Sequence, residues 1–191
     1  MTNPIRHLIR RFCKDETASL VAEAVIMLPL LVWWYVGGLV FFHGYEARNV
    51  NMKAAYTVSD MLSREDAAVG PAYVEGLGNI FAYLISGSGS GSEVRVSVVR
   101  CTENCTQGAT GRVLAIDWSY STGSRPALTD ADLPGYEDVI PVTPLGDRVI
   151  VLESKADYSP AFNIGLTADS FANTVVTRPR FVPKIPWDPS L

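Results

Sequence analysis

The sequence predicts an α+β protein in which one long N-terminal helix, transmembrane in its first half and amphipathic in its second, packs on a small antiparallel sheet. Three observations carry this. From Ala24 to Phe42 the chain reads AVIMLPLLVWWYVGGLVFF, nineteen residues without a charge. Apolar residues then recur at helical spacing to about residue 65, and from Glu93 onward the hydrophobic period changes to two. A chain of 191 residues has room for one globular unit and an anchor.

At about 1.5 Å per residue the uncharged run covers about 28 Å, close to the thickness of a bilayer core. Arg6, Arg10, Arg11 and Lys14 precede it and outnumber Asp15 and Glu16. This bias predicts a cytoplasmic basic leader over 1–18, a membrane span over 19–45 and an exported head over 46–191. Trp33, Trp34 and Tyr35 add aromatic bulk to the span, and Tyr45 suits its far interface. A cleaved secretory signal fits poorly, because its apolar core is shorter and "HGYEARN" is a poor cut site. A buried core helix is the other reading, but nineteen uncharged residues exceed most of those.

Beyond the span, Val50, Ala54, Val58, Met61 and Leu62 form a stripe, with Arg48, Lys53, Asp60 and Arg64 on other faces. Pro29 and the Gly37-Gly38 pair are expected to bend or loosen the rod. A second helix is expected over 71–85, with Tyr73, Leu77, Ile80, Phe81 and Leu84 inward. "SGSGSGS" at 86–92 lacks the G-K-[ST] of a phosphate loop and reads as a flexible connection. Val94, Val96 and Val98 alternate with Arg95, Ser97 and Arg100, and Leu114, Ile116, Trp118 and Tyr120 alternate with smaller or polar residues, which predicts a hairpin. Further strands are expected at 148–154 and about 172–178. The region 121–147 reads as a long surface loop with one helical turn, and the tail "RPRFVPKIPWDPSL" is broken by prolines.

The composition excludes several functions. A net charge of −4 does not suit a general nucleic-acid binder. The only histidines, His7 and His43, flank the run on opposite sides, so no zinc site and no nucleophile–base–acid set can be assembled, and neither a cofactor nor an enzyme is expected. Asp130, Asp132, Glu137 and Asp138 are oxygen donors suited to calcium but do not match an EF-hand loop, and acidic surface loops are common. Cys101 and Cys105, on the exported side, predict a disulfide; Cys13 reads as a bystander thiol before the membrane. "NCT" at 104–106 fits a glycosylation pattern, a weak signal.

One carboxylate, Glu23, stands at the mouth of the uncharged run, where an ionised group costs a few kcal/mol and suggests a partner. The stretch "ETASLVAEAVIMLPLL" resembles the signature of TadE-like and TadG-like minor pilins of tight-adherence pilus systems, G-x-x-x-V-E-F-A-x-x-x-P or near it. Glu23 matches the glutamate of that motif and Pro29, six residues on, its proline. Ala18 departs from the usual glycine, Ala22 from the valine and Ala24 from the aromatic residue. The resemblance covers residues 6–45 and extends weakly to "RPRFVPKI". It implies a minor pilin or pseudopilin, non-enzymatic and single-pass in the bacterial inner membrane, cut by a prepilin peptidase between Ala18 and Ser19. It also implies other pilins as partners, with Glu23 meeting the new N-terminal amine of a neighbouring subunit inside the apolar bundle. Two alternatives stand beside this: Glu23 snorkelling to the headgroups, and a membrane-tethered binding module with no part in a pilus.

Overall fold

A computed structural model describes residues 10–11, 17–85, 91–106, 111–162 and 164–191. Most of the basic leader, including His7 and Cys13, lies outside the described residues, as does most of the glycine-serine run. Helix α1 spans Thr17–Ser63 without interruption, through Pro29 and both glycines. Helix α2 spans Pro71–Leu84, opened by a proline at its first turn, where the missing N–H costs nothing. Strands β1 (Ser92–Glu103), β2 (Val113–Ser121), β3 (Arg148–Tyr158) and β4 (Asp169–Thr177) form one sheet in the order β2-β1-β3-β4, every pair antiparallel. This is the α+β arrangement expected, with the hairpin strands where the alternation placed them; β3 runs four residues past the expected 148–154, and β4 starts three residues before the expected 172.

The helices cover one face of the sheet. Val94, Val96 and Val98 of β1 and Ile150 and Leu152 of β3 meet Ala54, Val58 and Leu62 of α1 and Val74, Leu77 and Phe81 of α2 in one apolar cluster. The α1 stripe is rotated slightly from the expected one: Met61 is exposed, whereas Asn51, Ala55 and Ser59 are buried. On α2, Val74 replaces Leu84 on the inner face. Asn51 is the polar clamp of this interface. Its Nδ2 donates to the Phe171 carbonyl at 3.0 Å, and its Oδ1 accepts from Asn173 Nδ2 at 3.0 Å and from Ser154 Oγ at 3.3 Å. These bonds fix the axial position of α1 against β3 and β4, which apolar contacts alone would leave free to slide.

The region 121–147 is not simply a surface loop. It carries a 3-10 helix at Asp130–Tyr136, and its Leu128, Leu133 and Ile140 are buried against Val99, Cys101, Leu114, Val149 and Val151 on the second face of the sheet. The same face holds a polar network. Arg95 donates to Glu153 Oε2 at 2.7 Å, to the Pro126 carbonyl at 3.0 Å and to the Tyr136 hydroxyl at 2.8 Å, while that hydroxyl donates to Glu153 Oε1 at 2.8 Å. Glu93 binds Arg125 at 3.0 Å and accepts from the backbone N–H and hydroxyl of Ser124. Ser119 Oγ accepts from the Leu128 N–H at 2.9 Å and shares a hydrogen bond with Ser97. Glu93, Arg95 and Ser97 of β1 are therefore buried on this side of the sheet rather than facing water, whereas Arg100 stays partly exposed.

A bulge explains a second difference. Opposite Val98 and Val99 of β1 the partners are Trp118 and Ile116, so Asp117 is the extra residue of β2. An extra residue reverses the facing of everything beyond it. Leu114 and Ile116 turn to the second face while Trp118 and Tyr120 turn to the helices, splitting what reads in the sequence as one stripe. Asp117 itself is held by Arg100 at 3.0 Å and Arg148 at 2.5 Å.

The tail is a strap. Arg180 pairs with Asp60 at 2.7 Å and donates its N–H to the Ser63 carbonyl, Trp118 Nε1 donates to the Ile185 carbonyl at 3.0 Å, and Trp187 stacks on Trp118 with ring centres 4.7 Å apart. A short parallel bridge joins Val69 to Trp187. Gly70 makes room for the end of the strap: a Cβ there would lie 2.4 Å from the Leu191 carbonyl oxygen.

Candidate functional site

The N-terminal third of α1 touches nothing else among the described residues. Every residue from Leu20 to Tyr35 is exposed, so the helix projects as an apolar rod about 24 Å long. Leu20–Ser63 contains a window long and apolar enough to cross a membrane. It is helical despite the β-branched and aromatic residues in it because no water-competing polar side chain interrupts the backbone ladder; Pro29 removes only the bond that its own N–H would make to the Val25 carbonyl.

Glu23 lies near the start of this rod, exposed, between Leu20, Val21, Val25 and Ile26. Among the described residues no hydrogen bond or ion pair engages it. Leu20, Val21, Ala24, Val25, Leu28 and Pro29 line an open apolar hollow along the helix flank, and by helical spacing Glu23 points away from the middle of that stripe. Glu23 and Pro29, six residues apart, are turned about 120° from one another, so they do not share a face. Ala18 and Ser19 lie in the first turn of α1, and their side chains are outside the described residues.

Cys101 and Cys105 are joined, with Cα atoms 5.9 Å apart. The bridge closes the turn at the end of β1, and the Cys101 carbonyl accepts from the Gly146 N–H at 3.0 Å. Asn104 inside that turn has φ +53°, a conformation asparagine tolerates better than most side chains, and its amide donates to the Gly111 carbonyl. The disulfide sits at the opposite end of the sheet from the β3–β4 turn, remote from Glu23.

The acidic residues of the 3-10 segment are occupied in local structure. Asp130 Oδ1 accepts from the Ile116 N–H at 2.8 Å, and Asp132 accepts from the N–H and hydroxyl of Thr129, which hold its carboxyl below the usual carboxylate range. Among the described residues no group of three His, Cys, Asp or Glu side chains converges as a metal site would require.

The network on the second face is the densest set of charged groups. Burial raises the Glu93 carboxyl, but the Ser124 hydrogen bonds and the Arg125 charge outweigh it and leave Glu93 below its ordinary value. The hydrogen bond to Glu153 holds the Arg95 guanidinium still more firmly charged, and burial pushes the Tyr136 hydroxyl up. Each charged side chain is paired with an opposite charge, with Arg125 Nη2 left without a hydrogen-bond partner among the described residues, which makes the network a fastening for residues 121–147 rather than a reactive centre. Sequence reading missed this fastening and Asn51; the one available signal for Asn51 was a polar residue beside an otherwise apolar stripe. Comparison with protein-family models, with curated proteins and with solved structures finds no match for the chain.

Proposed function

We propose that the protein is a minor pilin or pseudopilin of a tight-adherence, type IV-like pilus, anchored in the bacterial inner membrane by α1 and joined to other pilins through it. The observation that carries this reading is Glu23: a carboxylate exposed on a bare apolar rod and unpaired among the described residues. A charge in such a place is costly alone and favourable when a cation arrives on a neighbouring apolar helix. The N-terminal amine released by cleavage between Ala18 and Ser19 would be that cation, so processing and docking become linked. The sequence signature around Glu23 and Pro29 supports the same reading, as does the continuation of one helix from rod to head, which transmits a subunit's position in a bundle to its exported surface.

The test is Glu23→Gln in the native host. Membrane insertion should be unchanged or slightly better, since a neutral side chain is cheaper in hydrocarbon. Recovery in sheared pilus fractions and co-purification with other pilins should fall, with Glu23→Asp intermediate. Full assembly by the Gln variant would favour the membrane-tethered binding module, as would an N-terminus found at Met1 or Thr2 by mass spectrometry.

A further inference from the structure

The β3–β4 connection does not stop at the head. It descends alongside the apolar rod. Gly44 of α1 faces Leu166 and the Tyr158 ring, Gly165 faces Phe41, and Gly37 faces Ile164, whose Cγ2 would lie 3.8 Å from a Cβ placed there. Each of these contacts meets a glycine, and a Cβ at Gly37 or Gly44 would lie in ordinary van der Waals contact with the turn, so the turn packs directly on this stretch of the helix. From Gly44 to Gly37 the contact runs seven residues down the axis, about 10 Å. Gly37 lies five residues inside the uncharged run that ends at Phe42, and nine residues, about 13 Å, below Glu46, the first ionised side chain beyond it.

The chemistry of the turn suits that depth. Tyr158 to Ala168 is eleven residues without a charge, bounded by Asp157 and Asp169. Phe162 in the turn is 60% exposed, and Phe41, which Gly165 of the turn meets, and Phe42 are exposed on the helix. Aromatic and aliphatic side chains next to a membrane helix at the edge of its uncharged run match the headgroup–acyl boundary, where a turn's backbone still reaches water.

We propose that the β3–β4 turn is a second membrane-contacting element, inserting Phe162 into the lipid interface on the head's side of the bilayer. The inference rests on the reading that α1 spans a membrane. The continuity of the turn with the uncharged part of α1 selects lipid as its occupant, because any bilayer around residues 24–36 meets the turn directly above. The consequence is a head with a fixed tilt: two attachment points, rod and turn, allow less rocking than one.

The test uses full-length protein with Cys13→Ser, in nanodiscs of phosphatidylethanolamine and phosphatidylglycerol, with a nitroxide on one new cysteine at a time. Leu28→Cys reports the rod, Phe162→Cys the turn, and Leu145→Cys an equally apolar, exposed site near the start of β3, at the other end of that strand. Collision with oxygen should exceed collision with a water-soluble nickel chelate at positions 28 and 162, with the ratio at 162 several-fold above that at 145. A nickel-accessible label at 162 with a lipid-buried label at 28 overturns the insertion and leaves the spanning helix intact. A label at 162 shielded from both reagents also overturns it, in favour of a protein partner on the turn. A water-exposed label at 28 removes the spanning reading itself, and the insertion with it.

Discussion

The two faces of the sheet are built by different physics. The helix-side face is apolar and continuous: branched aliphatic residues of β1 and β3 against regular helices, with Asn51 as its polar clamp. The opposite face is covered by an irregular segment that cannot satisfy its backbone by itself, so side chains of the sheet do so: Arg95 binds the Pro126 carbonyl and Ser119 binds the Leu128 N–H. The first face draws its stability from area removed from water. The second has an apolar cluster of its own under Leu128, Leu133 and Ile140, and adds hydrogen bonds between charged groups whose desolvation offsets most of what they gain.

Substitutions can break that contrast, and the largest effect is expected on the helix side. Phe81→Ala removes a fully buried ring between α2 and the sheet and should cost about 3–5 kcal/mol, read as a lower urea midpoint from Trp118 and Trp187 fluorescence in detergent. A loss under about 1 kcal/mol would mean that the helices do not carry the head.

Arg95→Met should cost about 3 kcal/mol, because Glu153 stays buried without its hydrogen-bonded cation, Arg125 remaining only at 3.7 Å. Hydrogen exchange should rise first in residues 126–140, while α1 and α2 stay protected. Joining Arg95→Met to Glu153→Leu should recover most of the stability. No recovery would show that the pair stabilises the fold itself.

Replacing both Cys101 and Cys105 by serine should cost about 2 kcal/mol, as a short closed loop constrains the unfolded chain only modestly. Asn51→Ala removes the clamp from the apolar face and should cost about 1–2 kcal/mol, with Asn173 and Ser154 left short of a partner. A neutral result would mean that apolar packing alone sets the position of α1.

The smallest effect is the pH response, with an acid limb from Glu93 on the second face and alkaline limbs from Tyr136 there and Tyr73 on the helix side. Glu93 has a folded-state pKa below its ordinary value of 4.5, so its contribution is present above that value and is lost as pH falls through the folded pKa. Acid should therefore loosen residues 121–126 first, as followed by hydrogen exchange. Tyr73, on the helix side, is pushed up to about 12 by burial and by its hydrogen bond to Glu65. Its contribution is full below about 10, the ordinary tyrosine value, and is lost as pH rises through about 12. Phe substitution at Tyr73 should remove its share of the alkaline dependence, leaving that of Tyr136 and the acid limb unchanged.

The sequence alone determined the elements whose side chains repeat. Nineteen uncharged residues specify a membrane-length helix and period two specifies the β1–β2 hairpin, because each pattern reflects burial repeated at regular intervals along one element; two cysteines with three residues between them specify a bridge by proximity. Glu23 also stood out, as the exception to its own pattern. Tertiary structure decided what depends on a single insertion or on distant partners. One extra residue, Asp117, turned Leu114 and Ile116 away from Trp118 and Tyr120. Arg95 and Ser97, polar and alternating, became interior because a segment more than twenty residues later folded over them. The β3–β4 turn acquired its place beside Gly37 and Gly44 only once α1 lay across the sheet. Local periodicity records which side of an element avoids water; what covers the other side is set by the rest of the chain.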